Sequence, residues 1–234
     1  MDVNGTEQHS FSARLECRYL LHSPKDVGNN PLLIVALHGY SSNPEDMLRL
    51  ARMAVGDEHV VASVQAPNQH YLSAGLPEGR PGHGYNWGIS KHWEATVRLH
   101  HEMVLTVLSR LRERFRTGAE RCVLLGFSQP VGLNYRFAAT HPDVVRGVIG
   151  VCGGVPRDWQ DPKYKPVSAA LLHISRDADE FYPVASANTF ADRLRERAAD
   201  VEFHMIPGTH RFPSQAAKII RPWLKRVFGT SAGG

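Results

Sequence analysis

Cysteine is scarce in this chain. Three occur in 234 residues, Cys17, Cys122 and Cys152, an odd number at wide spacing. Such a pattern does not build a disulfide framework, and the three read as buried thiols of a reducing compartment, so a cytoplasmic protein is expected. Long hydrophobic runs are missing too: nothing approaches the ~20 apolar residues of a membrane span, which argues against stable membrane insertion. The opening MDVNGTEQHSFSARLE has no basic region followed by an apolar one, so no secretory leader is expected. Nor is one charge in large excess. Lys and Arg number 27 against 23 Asp and Glu, a net +4, and the cations are scattered or sit on stretches such as Arg110 to Arg116 beside Glu113. Without a basic stripe and interleaved aromatics, no nucleic-acid surface is expected. His83, His92, His100 and His101 repeat no ligand spacing and have no Cys or acidic partner, so they read as helix-surface residues and no metal site is expected.

What is present is an alternation of apolar runs and helical patterns. Strands are expected over 13–21, Pro31 to Leu37, His59 to Val64, Cys122 to Leu125, Gly147 to Cys152, Ala169 to Ile174 and Val201 to Ile206. Helices are expected over 44–55, 92–116, 130–141, 185–198 and 214–228. The first is signalled by Asn43 as cap, Pro44 at the first position and Glu45 and Asp46 in the first turn. Pro222 predicts a kink or break in the last. Strands alternating with helices imply a mostly parallel sheet covered on both faces, an α/β architecture. The length suits one such domain over 1–234, with no internal repeat; 66–91, rich in Gly, Pro and aromatics, reads as a long irregular loop, and the final GTSAGG as a flexible tail.

The chemistry centres on RCVLLGFSQPVGLNYRFAATHP, residues 121–142. A short apolar strand, a tight turn holding Ser128 and a helix stopping before Pro142 make a nucleophile elbow, in which the serine oxygen stands clear of the turn. The usual elbow is G-x-S-x-G; Gly126 fits, while Pro130 stands in place of the second glycine. Proline suits a first helical turn, where its missing N–H has no intrahelical partner.

In open α/β sheets, active sites collect beyond the carboxyl ends of the strands. Four strands here end near a residue that ester hydrolysis uses, namely Tyr40, Ser128, Asp179 and His210, with the last three in the chain order nucleophile, acid, histidine. His210 is the expected general base for Ser128, Asp179 the residue that fixes its tautomer, and the backbone N–H groups of Tyr40 and Gln129 the oxyanion donors, with Gln129 acting through its main chain. Asp177 lies in the same loop and competes with Asp179. Asp179 is preferred because Asp-x-x-x-Pro leading into a helix places a carboxylate at the strand end. His38 reads as a structural residue of the oxyanion loop.

On LHGYSSNPEDM (37–47), GFSQ (126–129), DEFYP (179–183) and PGTH (207–210), the chain resembles the phospholipase/carboxylesterase family of α/β-hydrolases, which includes small bacterial carboxylesterases and acyl-protein thioesterases. The resemblance runs from about residue 31 to 225. It implies an α/β-hydrolase fold and a serine hydrolase of carboxylic esters or thioesters, with no metal or cofactor. Two residues depart from the family: Pro130, and Arg176 where glycine commonly precedes the acid, which puts a cation near the site.

The 66–91 segment is expected to form a wall or lid over the site. Trp87, Tyr85, Tyr182 and Phe181 are the expected lining of a substrate pocket, with Tyr71 and Phe212 near by; Arg211 reads as a solvent-facing arginine. The resulting expectation is a serine carboxylesterase acting on small soluble esters through an acyl-enzyme, as a monomer or homodimer. The alternatives are an acyl-protein or acyl thioesterase, a lysophospholipase or, in another class, a non-catalytic ligand-binding protein with a spoiled elbow.

Overall fold

In the computed structural model, which describes residues 7–75 and 81–229, the strand order is set by a parallel core. Strands β1 (Tyr19–His22), β2 (Leu33–Leu37) and β3 (Val60–Val64) enclose helix α1 (Pro44–Val55) in sequence. The hairpin β4 (Asn68–Gly75) and β5 (Pro81–Asn86) follows, then α2 (Trp93–Phe115), β6 (Cys122–Phe127), α3 (Val131–Thr140), β7 (Gly147–Val151), β8 (Ala170–Arg176), α4 (Val184–Ala187), α5 (Phe190–Arg195), β9 (Val201–Ile206) and α6 (Ala217–Phe228). Among the described residues, seven strands form one sheet in the order β1-β3-β2-β6-β7-β8-β9; β1 is antiparallel to its neighbour and the others are parallel.

The central strands are continuous apolar runs because both faces are covered. Side chains alternate between the faces with period two. Leu33, Val35, Leu37, Leu124, Val148 and Leu171 meet the layer that includes α2, α3 and α5, while Ile34, Ala36, Val123, Leu125, Ile149 and Leu172 meet α1 and α6. Helix α1 starts as its sequence dictates. Asn43 accepts from the N–H of Asp46 at 2.7 Å, Pro44 opens the helix, and Gly56, at φ 108°, closes it by donating to Arg52.

Several expectations change. Strand 13–21 shrinks to Tyr19–His22; the residues before it are exposed, and the Arg18 carbonyl accepts the Gln65 N–H at 3.0 Å. The irregular segment 66–91 contains the β4–β5 hairpin, which its alternating Gly82 and Gly84 disguise; its tip at 76–80 lies outside the described residues, as does 230–234 of the expected tail. Helix 185–198 divides into α4 and α5, because Thr189 turns its hydroxyl back onto the Ser186 carbonyl at 2.8 Å and competes with the helical ladder. Pro222 does not break α6: both it and Lys218, whose carbonyl loses a partner, are exposed, so water can satisfy that carbonyl. Cys17 is exposed, whereas Cys122 and Cys152 are buried free thiols. No described helix is long and apolar enough to cross a membrane.

Candidate active site

Strand β6 delivers Ser128 to a turn that only close packing can hold. Ser128 has φ 63°, a left-handed conformation that a residue with a Cβ adopts at a cost of about 1–3 kcal/mol. The turn is held by bonds from the Ser128 N–H to the Val151 carbonyl (2.9 Å) and from the Val131 N–H to the Ser128 carbonyl (3.2 Å). Small residues are required around it. A Cβ on Gly126 would stand 2.8 Å from Asn134 Nδ2, and one on Gly153 would stand 2.3 Å from the Cβ of Val131. Pro130 fits without strain, with φ −75° in proline's own range, and it precedes α3 where no helical bond needs its N–H.

Three strand ends converge on that serine. Ser128 Oγ lies 2.9 Å from His210 Nε2, and His210 Nδ1 lies 2.8 Å from Asp179 Oδ2. The other Asp179 oxygen accepts the N–H groups of Phe181 and Tyr182, both at 2.9 Å, so this carboxylate, 4% exposed, has hydrogen-bond partners on both oxygens. Asp177 faces elsewhere: it accepts the Gly208 N–H at 2.8 Å and braces the turn that carries His210. Glu180 accepts the His210 N–H at 3.0 Å, and that bond holds its carboxyl below the usual range. Phe127 stacks on the imidazole at 5.4 Å while Phe181 approaches edge-on at 4.8 Å. Tyr182 tilts against it at 5.8 Å, and burial pushes the Tyr182 phenol up and keeps it neutral. Arg176 lies along the Gly208 turn and the Arg211 carbonyl, behind the histidine loop.

The loop 38–43 is built as carefully. The N–H groups of Tyr40 and Gln129 bond to no carbonyl or side chain among the described residues; Gln129 follows Ser128 in the turn, and a Cβ on Gly39, the residue before Tyr40, would stand 3.2 Å from Ser128 Cβ. His38 is buried. Its Nδ1–H donates to the Gly39 carbonyl (2.8 Å) and its Nε2 accepts the Ala66 N–H (3.1 Å), so one tautomer is fixed, and burial lowers its pKa. Strand β5 then pairs with the loop: the Ser41 N–H donates to Tyr85 and the Tyr85 N–H to Ser42, both at 2.9 Å. His70 on β4 ties in a second point. Asn86 donates to its Nδ1 at 3.0 Å, leaving Nε2–H to donate to Ser41 Oγ at 2.8 Å, while the Tyr40 ring stacks on it at 5.0 Å. These bonds hold Ser41 at φ 62°.

The hairpin is therefore a buttress of the loop 38–43 over its described length, and two expected roles change with it. Trp87 is 1% exposed and does not line an open pocket; its indole N–H donates to the His38 carbonyl at 2.8 Å. Gln129 uses its side chain as well as its main chain, accepting the Trp87 N–H at 2.9 Å and donating to the Gly88 carbonyl at 2.7 Å. Tyr85 is half-buried against His38. Phe181 and Tyr71 are exposed, the former beside His210, and Phe212 packs on Phe127. His100 and His101 are also displaced from expectation: both are buried between α2 and α3, where His100 bonds Asn134 at 3.2 Å and His101 packs on Phe137. Sequence reasoning missed His70, Asn86 and the Gln129 side chain. The available signal was the pair Gly82 and Gly84 two residues apart, a spacing that puts one backbone face against a neighbour; a Cβ on Gly84 would stand 2.6 Å from the Ser41 carbonyl.

An open groove of about 690 Å³ is lined by Tyr40, Gln129, Ile89, Trp93, Arg136, Arg157 and Asp158. Among the described residues no group of three His, Cys, Asp or Glu side chains is placed to hold a metal ion.

No protein-family model and no curated protein sequence matches this chain. Solved structures do match its fold. Esterase PE8 superposes with a TM-score of 0.69 at 20% identity, over 92% of this chain and 100% of that one. A Bacillus cereus carboxylesterase gives 0.68 at 18% identity, over 91% and 95%. A phospholipase/carboxylesterase from Dyadobacter fermentans DSM 18053 gives 0.64 at 16% identity, over 90% and 97%. The chain has the α/β-hydrolase fold, and these neighbours carry the names of the family its motifs resemble.

Proposed function

We propose that this chain is a serine carboxylesterase that hydrolyses small soluble carboxylic esters through an acyl-enzyme. The observation that carries the reading is the unbroken hydrogen-bonded chain Ser128, His210, Asp179 beside two uncommitted N–H groups. Ser128 Oγ attacks the ester carbonyl as His210 Nε2 takes its proton, and the N–H groups of Tyr40 and Gln129 bind the oxyanion that forms. Collapse breaks the bond to the alcohol, which leaves with the proton from His210. Water then attacks the acyl-enzyme, giving one proton to His210, and the acid departs as Ser128 regains its own. Asp179 keeps Nδ1 protonated so that Nε2 is free to accept.

The fit of Pro130 in the elbow supports a working nucleophile over a ligand-binding role. The names of the fold neighbours agree with an esterase. The groove beside the oxyanion donors is open along its length, so a long alkyl chain would bury little of itself there, which favours short esters over thioesterase or lysophospholipase substrates. The test is hydrolysis of p-nitrophenyl esters from acetate to palmitate beside Ser128→Ala. Turnover that is abolished in the variant and falls beyond about ten carbons is expected. Activity that survives Ser128→Ala, or that climbs with chain length, contradicts it.

A further inference from the structure

The groove beside Tyr40 and Gln129 is lined by an uncommitted cation. Tyr40 and Gln129 line it together with the apolar Ile89 and Trp93 and the charged Arg136, Asp158 and Arg157. Arg136 is committed: it donates to Asp158 and to the Gly132 carbonyl, and its guanidinium lies 5.2 Å from the centre of the Trp93 ring. Asp158 is committed in turn to Arg136, to the Tyr164 hydroxyl at 2.9 Å and to Lys163 at 3.4 Å. Burial raises the Asp158 carboxyl, but these donors outweigh it and hold the group ionised. Arg157 is exposed and pairs with no carboxylate among the described residues. Two guanidiniums against one carboxylate leave the groove lining net positive, with Arg157 the cation that is free to bind.

Which half of an ester enters follows from the proton. The leaving alcohol must receive it from His210, so it lies on the Phe181 side; neither His210 nor its loop lines the groove, which leaves the groove to the acyl half. We propose that the groove is an acyl subsite in which Arg157 selects acyl groups ending in a carboxylate, making half-esters of dicarboxylic acids the preferred substrates. The planar guanidinium fork matches a carboxylate in two parallel hydrogen bonds, and the methylenes between carboxylate and ester lie along Trp93 and Ile89.

This rests on the esterase reading, and one experiment separates the two. The kcat/KM values for p-nitrophenyl hydrogen adipate and suberate are compared with those for the length-matched hexanoate and octanoate, in the parent chain, Arg157→Gln and Arg157→Glu. A partly exposed ion pair gives on the order of a fivefold preference for the anionic ester in the parent. The ratio is expected to fall to about one in Arg157→Gln, to drop below one in Arg157→Glu, and to shrink in the parent at high salt. A parent without the preference, or a preference unchanged by both substitutions, overturns the subsite while leaving the esterase standing. Absence of hydrolysis of all four esters sinks the esterase reading itself.

Discussion

Replacing Asp179 by Asn tests the triad most sharply, because the surroundings dictate how the amide must sit. Asp179 Oδ1 accepts two N–H groups, from Phe181 and Tyr182, at 2.9 Å each. An asparagine that turned its NH2 toward them would set donor against donor in a site that is 4% exposed, with a cost of about 1–3 kcal/mol for each unmet group. It therefore keeps its oxygen there and presents NH2 to His210 Nδ1. That nitrogen must then accept, which moves the imidazole proton to Nε2, where it points at Ser128 and leaves no lone pair to take the serine proton. The wrong tautomer, together with loss of the charge that stabilises the imidazolium, should lower kcat by about 10⁴, or roughly 5 kcal/mol of barrier, with little change in KM. Asp177→Asn keeps an oxygen for the Gly208 N–H and should cost less than tenfold. Steady-state hydrolysis of p-nitrophenyl butyrate, with circular dichroism to confirm folding, reads both. A folded Asp179→Asn with near-parental kcat, or a larger loss in Asp177→Asn, refutes the assignment.

Three further outcomes follow from the same geometry. Gly84→Ala would put a Cβ 2.6 Å from the Ser41 carbonyl oxygen and 2.9 Å from its Cα, so the oxyanion loop must retreat; kcat should fall roughly ten- to hundredfold while KM moves less, and parental kcat would show that the hairpin does not set the loop. His70→Ala removes the partner of Ser41 and Asn86 and should lower kcat about tenfold, with partial recovery in His70→Gln, whose amide can also donate and accept; equal loss in both variants would contradict a hydrogen-bonding role. Burial lowers His101 from 6.5 to about 4, with His141 and Arg136 adding to the effect, and lowers His173 to about 3. Both groups are neutral in the folded chain and charge on unfolding, so their stabilisation is complete above the unfolded value near 6.5 and is lost as pH falls toward the folded values. Each should cost about 2 kcal/mol between pH 7 and pH 5. Urea unfolding midpoints at the two pH values read this, and an unchanged midpoint would refute it.

The parallel strands were legible because burial on both faces writes a continuous apolar run, and α1 because its cap, proline and acidic turn all agree. The hairpin was not. Its glycines and aromatics obscure the alternation that marks a strand, and those glycines are there for a tertiary reason, the approach of Ser41. The split of α4 from α5 turns on one threonine hydroxyl, a choice between two local partners that composition does not reveal. His100 and His101 misled for a related cause: the charge-capable histidine suggests a wet face, yet α3 covers this face of α2 and both imidazoles are held neutral within the core.

The same division runs through the site. Ser128, Asp179 and His210 follow the ends of β6, β8 and β9, and a parallel sheet carries all these strand ends to one edge whatever the details of the loops; that is why three residues far apart in sequence could be grouped from the sequence. The proposed oxyanion donors depend on something less regular. Tyr40 presents its N–H only because Ser41 is held in a left-handed conformation by a strand edge, a histidine and a serine hydroxyl, and Gln129 because its amide is clasped to 87–88. Those contacts span 29 to 42 residues of chain and bear no motif. Changes to the triad should therefore act through proton transfer and leave the fold intact, whereas changes to the hairpin should act through placement of a backbone N–H. Gly84→Ala and Asp179→Asn separate the two: the first should weaken binding of an oxyanion-mimicking boronate in step with its loss of kcat, because the donor has moved. In the second, the N–H donors stay where they were, so the fall in kcat should far exceed any loss of boronate affinity.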